Sequence, residues 1–330
     1  MTDRYASLSL FIVLLANAAD AQVVRDSTGT TEFIGLSTWS PQRLLDTLRM
    51  LAPGQAIHQC AVTLKGQLGF PEASVMYFPD RRVTLVTVLE PRDSARVRYN
   101  PRPTAALTLP KSWAPLAAAA DSQPQSLELA LLSWRFHQTG RPDSAATFLA
   151  RFGSSLGRVE PLWVALSTGT ETQALQLLEQ DSNPVHRQVA AATLIRFTDD
   201  PGAWRAIVRA LRDPAEGVGI VASRVLEQLT NYSPRPIDWG ADVESVRAIL
   251  DGTRLFFLPT LIRALNVTGV EPVLAPRLLR NGGQLLLAYA TAEEAPVRED
   301  ARALLRRLTQ TDAGPGGDEW RAWIAAPSRP

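Results

Sequence analysis

Apolar residues recur along this chain in two rhythms, and the switch between them divides it. Ser40-Pro41 offers a helix N-cap followed by a first-turn proline, and Leu44, Leu45, Leu48 and Leu51 then fall on one face until Pro53-Gly54 interrupts them. Ile57, Cys60/Ala61, Leu64 and Leu68 keep helical spacing as far as Gly69, which predicts a second helix. The period then drops to two. Val75 and Tyr77 alternate with outward positions, Pro79-Asp80-Arg81-Arg82 supplies a turn, and Val83 to Leu89 is largely β-branched, so a β-hairpin is predicted, with Arg96 to Tyr99 as a third short strand. The expectation for residues 22–100 is a small α+β domain.

Periodicity fades over residues 101–122, where Asn100-Pro101-Arg102-Pro103 leads on to Ala114-Pro115, and this stretch is predicted to be an extended proline-rich linker. Across 123–330 each segment is a helical pattern closed by Pro, Gly or Asp. Leu127–Phe136 and Asp143–Phe152 form a helical hairpin around Thr139-Gly140-Arg141-Pro142. Three later helices share one spacing of apolar and small residues: Val185, Val189 and Phe197; Val218, Ala222, Val225 and Leu229; Val297, Ala301, Leu304 and Leu308. The first two copies follow Asn183-Pro184 and Asp213-Pro214, where the side chain can cap free N–H groups. A loop plan also recurs, from Leu229-Thr230 to Asp238-Trp239 and from Leu308-Thr309 to Asp318-Glu319-Trp320. Each Trp is expected to fold back over the preceding helix pair.

On these residues the region 171–325 resembles the HEAT-repeat family, including the bacterial HEAT-like repeats related to phycobilisome lyase domains. Asp213-Pro214 with Val218, Ala222 and Leu226, and Val297-Arg298 with Ala301 and Leu305, carry the likeness. Gly217 and Gly219 depart from it and predict a late helix start. Gly140-Arg-Pro-Asp-Ser-Ala-Ala is similar instead to a tetratricopeptide-type turn and helix. The resemblance implies a mainly α chain, an α-solenoid preceded by the small α+β domain, working as a non-catalytic protein-binding scaffold.

The first residues add a compartment. An apolar run from Leu8 to Ala16, followed by Ala19-Asp20-Ala21, has the layout of a secretory signal peptide over 1–21, with cleavage after Ala21 and export to the periplasm or medium. No later stretch is long and apolar enough to predict a transmembrane segment. Formal net charge is +1 over 330 residues, which gives no global field toward nucleic acid. Charge is uneven locally: residues 80–111 hold Arg81, Arg82, Arg92, Arg96, Arg98, Arg102 and Lys111 against Asp80, Glu90 and Asp93. The six arginines are candidates for binding an anionic envelope ligand, with a solvated, edge-protecting strand as the alternative.

Candidate chemistry is sparse. Cys60 is the single cysteine, so no intramolecular disulfide forms, and with His58 it lacks the further ligands a zinc site needs, since His137 and His186 lie in distant segments. Gly153-Ser154-Ser155-Leu156-Gly157 matches a nucleophile-elbow pattern, but follows a helical run where the elbow needs a strand. Glu293-Glu294 and Asp199-Asp200 fall at turns, where carboxylates cap helices. Neither a phosphate-cradling glycine motif nor a cofactor site is predicted. An enzyme or lyase-like accessory with its site near His58 is the competing reading.

Overall fold

The computed structural model describes residues 21–27, 29–279, 283–314 and 316–326. The proposed signal peptide thus lies outside the described residues, save Ala21. The chain is mainly helical, with one four-stranded sheet near its N-terminus.

The sheet comprises β1 (Gln22–Asp26), β2 (Gly29–Ile34), β3 (Glu72–Phe78) and β4 (Val83–Leu89) in the order β1-β2-β4-β3. The predicted hairpin is β3 and β4, paired antiparallel from Glu72↔Leu89 to Phe78↔Val83. β2 runs parallel to β4, and β1 closes the far edge antiparallel to β2. Because side chains alternate along a strand, the sheet presents two different faces. Phe33, Val86, Val88 and Ala73 pack under α1 (Pro41–Leu51) and α2 (Ala61–Gly66), with Leu44, Leu45, Leu48 and Leu64. Ile34, Leu85 and Leu89 face the other way, into the core of the helical region. Ser40 caps α1 as predicted, accepting from the Arg43 N–H at 3.3 Å. The second predicted helix is shorter, a 3-10 turn at Ile57–Gln59 followed by α2.

Helices α3 (Ala114–Ser122), α4 (Pro124–Gln138), α5 (Pro142–Ala150) and α6 (Leu156–Leu166) pack among themselves. Four helical groups follow: α7 (Glu171–Gln180) with α8 (Pro184–Thr193); α9 (Pro201–Ala210) with α10 (Glu216–Tyr232); α11 (Val243–Leu250) with α12 (Leu258–Thr268); then α13 (Ala275–Leu278) and α14 (Gly283–Ala290) with α15 (Ala295–Thr309), and α16 (Asp318–Ala325) closes the chain. First helices touch in series, α7 on α9, α9 on α11, α11 on α13 and α14. The second helices do likewise, α8 on α10, α10 on α12, α12 on α15. α3 lies on α8, and α4 on α10.

Asn183 caps α8, accepting from the Val185 N–H at 2.9 Å. Asp213 accepts from the Ala215 N–H at 2.7 Å in the turn before α10, whose N-cap, Ala215, has no side-chain bond. Gly219 has a packing reason: a Cβ there would stand 2.6 Å from the Phe257 ring. The helix containing it starts at Glu216, two residues after Pro214, whereas α8 starts at Pro184 itself, so its start is late as predicted. Trp320 is fully buried, donates to the Thr311 carbonyl at 2.9 Å, and sits on a helix against α14 and α15, the preceding group. Trp239 departs from its expected place. Its indole N–H reaches Thr268 Oγ1 at 3.0 Å, at the end of α12, so that loop covers the following pair.

Two predictions for residues 96–122 differ from the structure. Arg96–Tyr99 is not a strand, and α3 occupies the second half of the expected linker, where Ala-rich sequence favours helix. The extended part is fastened down. Ala105 N–H donates to the Gln180 carbonyl at 3.1 Å and its carbonyl accepts from Ser182 N–H at 2.7 Å; Asn100 N–H donates to Arg212 O at 2.9 Å; Arg98 N–H donates to Thr253 Oγ1 at 2.9 Å. Residues 105 to 98 therefore step along the turns that join α7 to α8, α9 to α10 and α11 to α12. The sheet completes the series at the α14–α15 turn, where Glu293 N–H donates to Glu32 Oε1 at 2.6 Å and Thr87 Oγ1 meets the Tyr289 hydroxyl at 2.8 Å. A strand at 96–99 would forfeit these bonds, and buried backbone groups must find partners somewhere.

Candidate functional site

The six candidate arginines do not converge into one patch. Arg81 pairs with the buried Glu294 at 2.7 Å, Arg98 with the buried Asp251, and Arg82 donates to the Ser27 carbonyl at 2.9 Å. Arg92 lies 3.7 Å from Asp93, which also flanks Arg96, while Arg102 is exposed. Arg81 and Arg98 thus join the sheet and the extended segment after it to acidic helix turns. The carboxylates at those turns behave accordingly: Asp200 caps α9 through the Gly202 N–H at 2.6 Å, and Glu293 is bound by Arg25.

Two cavities flank the sheet. The first, about 340 Å³, opens on the α1–α2 side and contains His58, whose ring stacks on Tyr77 with centroids 4.9 Å apart. Cys60 lines the same cavity, but burial pushes its thiol up to about 12, so at neutral pH it stays protonated and unreactive. The other histidines are engaged elsewhere: His137 stacks on Trp163, and His186 Nδ1 lies 2.7 Å from Asp181. Among the described residues, no group of three or more His, Cys, Asp or Glu side chains is placed to hold a metal ion. The Gly153–Gly157 segment joins α5 to α6 with no strand before the serine.

The second cavity, about 370 Å³, lies between β3 and the second helices α10, α12 and α15. Met76 and Phe78 form its sheet wall, with Pro259, Ile262 and Val297 opposite. Arg263 and Asp300 stand at its polar end, and burial raises the Asp300 carboxyl against the lowering influence of Arg263. Thr230, 4% exposed, also lines this cavity; its hydroxyl oxygen is sealed from solvent and has no hydrogen-bond partner among the described residues. Such a group costs roughly 1–3 kcal/mol.

No family model, curated protein or solved structure matches the chain. Geometry alone must carry the functional reading. Sequence reasoning found His58 but missed both cavities, because each is assembled from strands and helices far apart in the chain. The one available signal was Thr31, Thr63, Thr84 and Thr230, polar positions inside otherwise apolar patterns. Among the described residues no helix is long and apolar enough to cross a membrane.

Proposed function

We propose that this chain is a non-catalytic binding protein, a HEAT-like α-solenoid that holds a protein partner on the face made by α8, α10, α12 and α15. The serial packing of first helices on first and second on second supports the solenoid reading. Part of that face is already occupied, by α3 on α8 and α4 on α10. What remains is the groove beside β3. The observation that carries the proposal is this groove itself, with apolar side chains on both walls and Arg263 and Asp300 at its polar end. An apolar side chain carried on a polar backbone suits both the walls and that polar end.

A photo-crosslinking amino acid in place of exposed Arg263, at the groove rim, is expected to give one discrete adduct in the native host. Thr260→Arg, at a half-buried position on the groove wall, should abolish it while the chain stays folded. Failure to form any adduct, or equal labelling from a control site on α11, would sink the proposal.

Export belongs to the same reading and rests on the sequence of residues 1–21. β1 opens at Gln22, so removal of the leader after Ala21 would leave every strand whole. Mass analysis of the chain recovered from the cell envelope or medium should find Gln22 at its N-terminus; an intact Met1 would defeat the assignment.

A further inference from the structure

The cavity on the α1–α2 side has a floor unlike the rest of its sheet face. One register step away, Phe33, Val86 and Val75 lie side by side across β2, β4 and β3 and pack apolar against α1. At the cavity the row is Thr31, Thr84 and Tyr77, again directly opposite one another, and α2 adds Thr63. Thr31, Thr63 and Thr84 are 8%, 5% and 4% exposed, and among the described residues none of their hydroxyls has a hydrogen-bond partner. Three hydroxyls without a protein partner thus line one cavity, where the polar groups of a ligand could meet them.

We infer that this cavity binds a polyhydroxylated ligand, a sugar of one or two rings. Its walls select that chemistry by elimination. A wholly apolar ligand would strand the three hydroxyls. A bare anion would meet Arg49 already flanked by Asp26 at 2.5 Å and Asp46 at 3.8 Å, and Arg82 already donating to the Ser27 carbonyl at 2.9 Å. A sugar offers both surfaces required. Its hydroxyls can donate to and accept from Thr31, Thr63 and Thr84, while the Arg49–Asp26 pair supplies a donor and an acceptor together. Its C–H face can lie against the Tyr77 ring and the Leu45, Leu48 and Ile57 side chains. The volume, about 340 Å³, lies at the lower end of the range for small-molecule sites. This site is on the opposite side of the sheet from the groove proposed for a protein partner, and neither depends on the other.

The test is titration of the full chain with free hexoses, pentoses and uronic acids, and with their methyl glycosides as mimics of a residue in a glycan, followed by saturation-transfer NMR and calorimetry. At least one sugar is expected to bind saturably. Preference for the glycoside would mark a glycan as the source, and preference for the reducing sugar a free one. The double variant T31V/T84V should lose about tenfold in affinity, the value of two neutral hydrogen bonds, with an unchanged or higher melting temperature. Absence of saturable binding across the panel would overturn the inference. So would unchanged affinity in the double variant. A lowered melting temperature in Thr84→Val would also overturn it, since the hydroxyl would then be serving the fold.

Discussion

Asp213→Ala is expected to cost about 3–5 kcal/mol of unfolding free energy, read from urea denaturation. Its carboxylate holds Arg187 through two parallel bonds, Nε to Oδ2 and Nη2 to Oδ1, both 2.8 Å. Arg187 is 1% exposed and also donates to the Asp181 and Ser182 carbonyls at 2.8 and 3.1 Å, so it ties the α7–α8 turn to the α9–α10 turn. Removing the carboxylate leaves a guanidinium buried without its counter-charge, and it also takes the acceptor from the Ala215 N–H. Arg187→Met should cost less, because Asp213 keeps the Ala215 N–H. The double variant R187M/D213A should recover most of the loss, since two apolar replacements strand neither charge. A loss under about 1 kcal/mol in Asp213→Ala would mean that water reaches the pair and that the turns are not locked together.

The helical region was legible because its signals are local. Asn183 caps α8 and Asp213 braces the turn before α10 by contacts two residues long, and Val218, Ala222, Val225 and Leu229 are buried as their spacing requires. Helix α6 was missed because Pro161 lies inside it, where proline ordinarily argues for a break. β1 and β2 were missed for a different reason. Val23-Val24 and Phe33-Ile34 are strand-forming residues on either side of Gly29, but each run is short and follows directly on the proposed leader. β2 also finds its main partner more than fifty residues away, in β4, and a parallel pairing leaves no turn between the strands to read.

The charge pattern misled through the same gap between sequence and space. Counted along the chain, Arg81, Arg92, Arg96 and Arg98 form a basic run. In three dimensions Arg81 meets Glu294 and Arg98 meets Asp251, residues more than 150 positions distant. The cavities were illegible for this reason too: Thr31, Thr63 and Thr84 become neighbours only once β2, α2 and β4 are assembled. A polar residue within a buried pattern is visible in the sequence; whether it is bonded, capped or left open to a cavity is settled by its partners.

Glu90 shows how much can rest on one such residue, and acid should reveal it. Burial alone would push this carboxyl up. The Ser37 and Thr38 hydroxyls, at 2.6 Å each, and the N–H groups of both residues outweigh burial and hold it at about 2. The Trp39 N–H adds a further bond at 3.1 Å. Together they fasten the end of β4 to the loop that enters α1. The folded pKa is depressed, so the stabilisation is complete above the unfolded value near 4.5 and disappears as pH falls through about 2. A difference of this size corresponds to about 3 kcal/mol. Glu90→Gln is therefore expected to lose about 3 kcal/mol at neutral pH, because the amide cannot accept the same set of donors as an ion. It should also flatten the acid limb between pH 4.5 and 2. An acid limb as steep in the variant as in the parent chain would assign the pH dependence to other carboxylates.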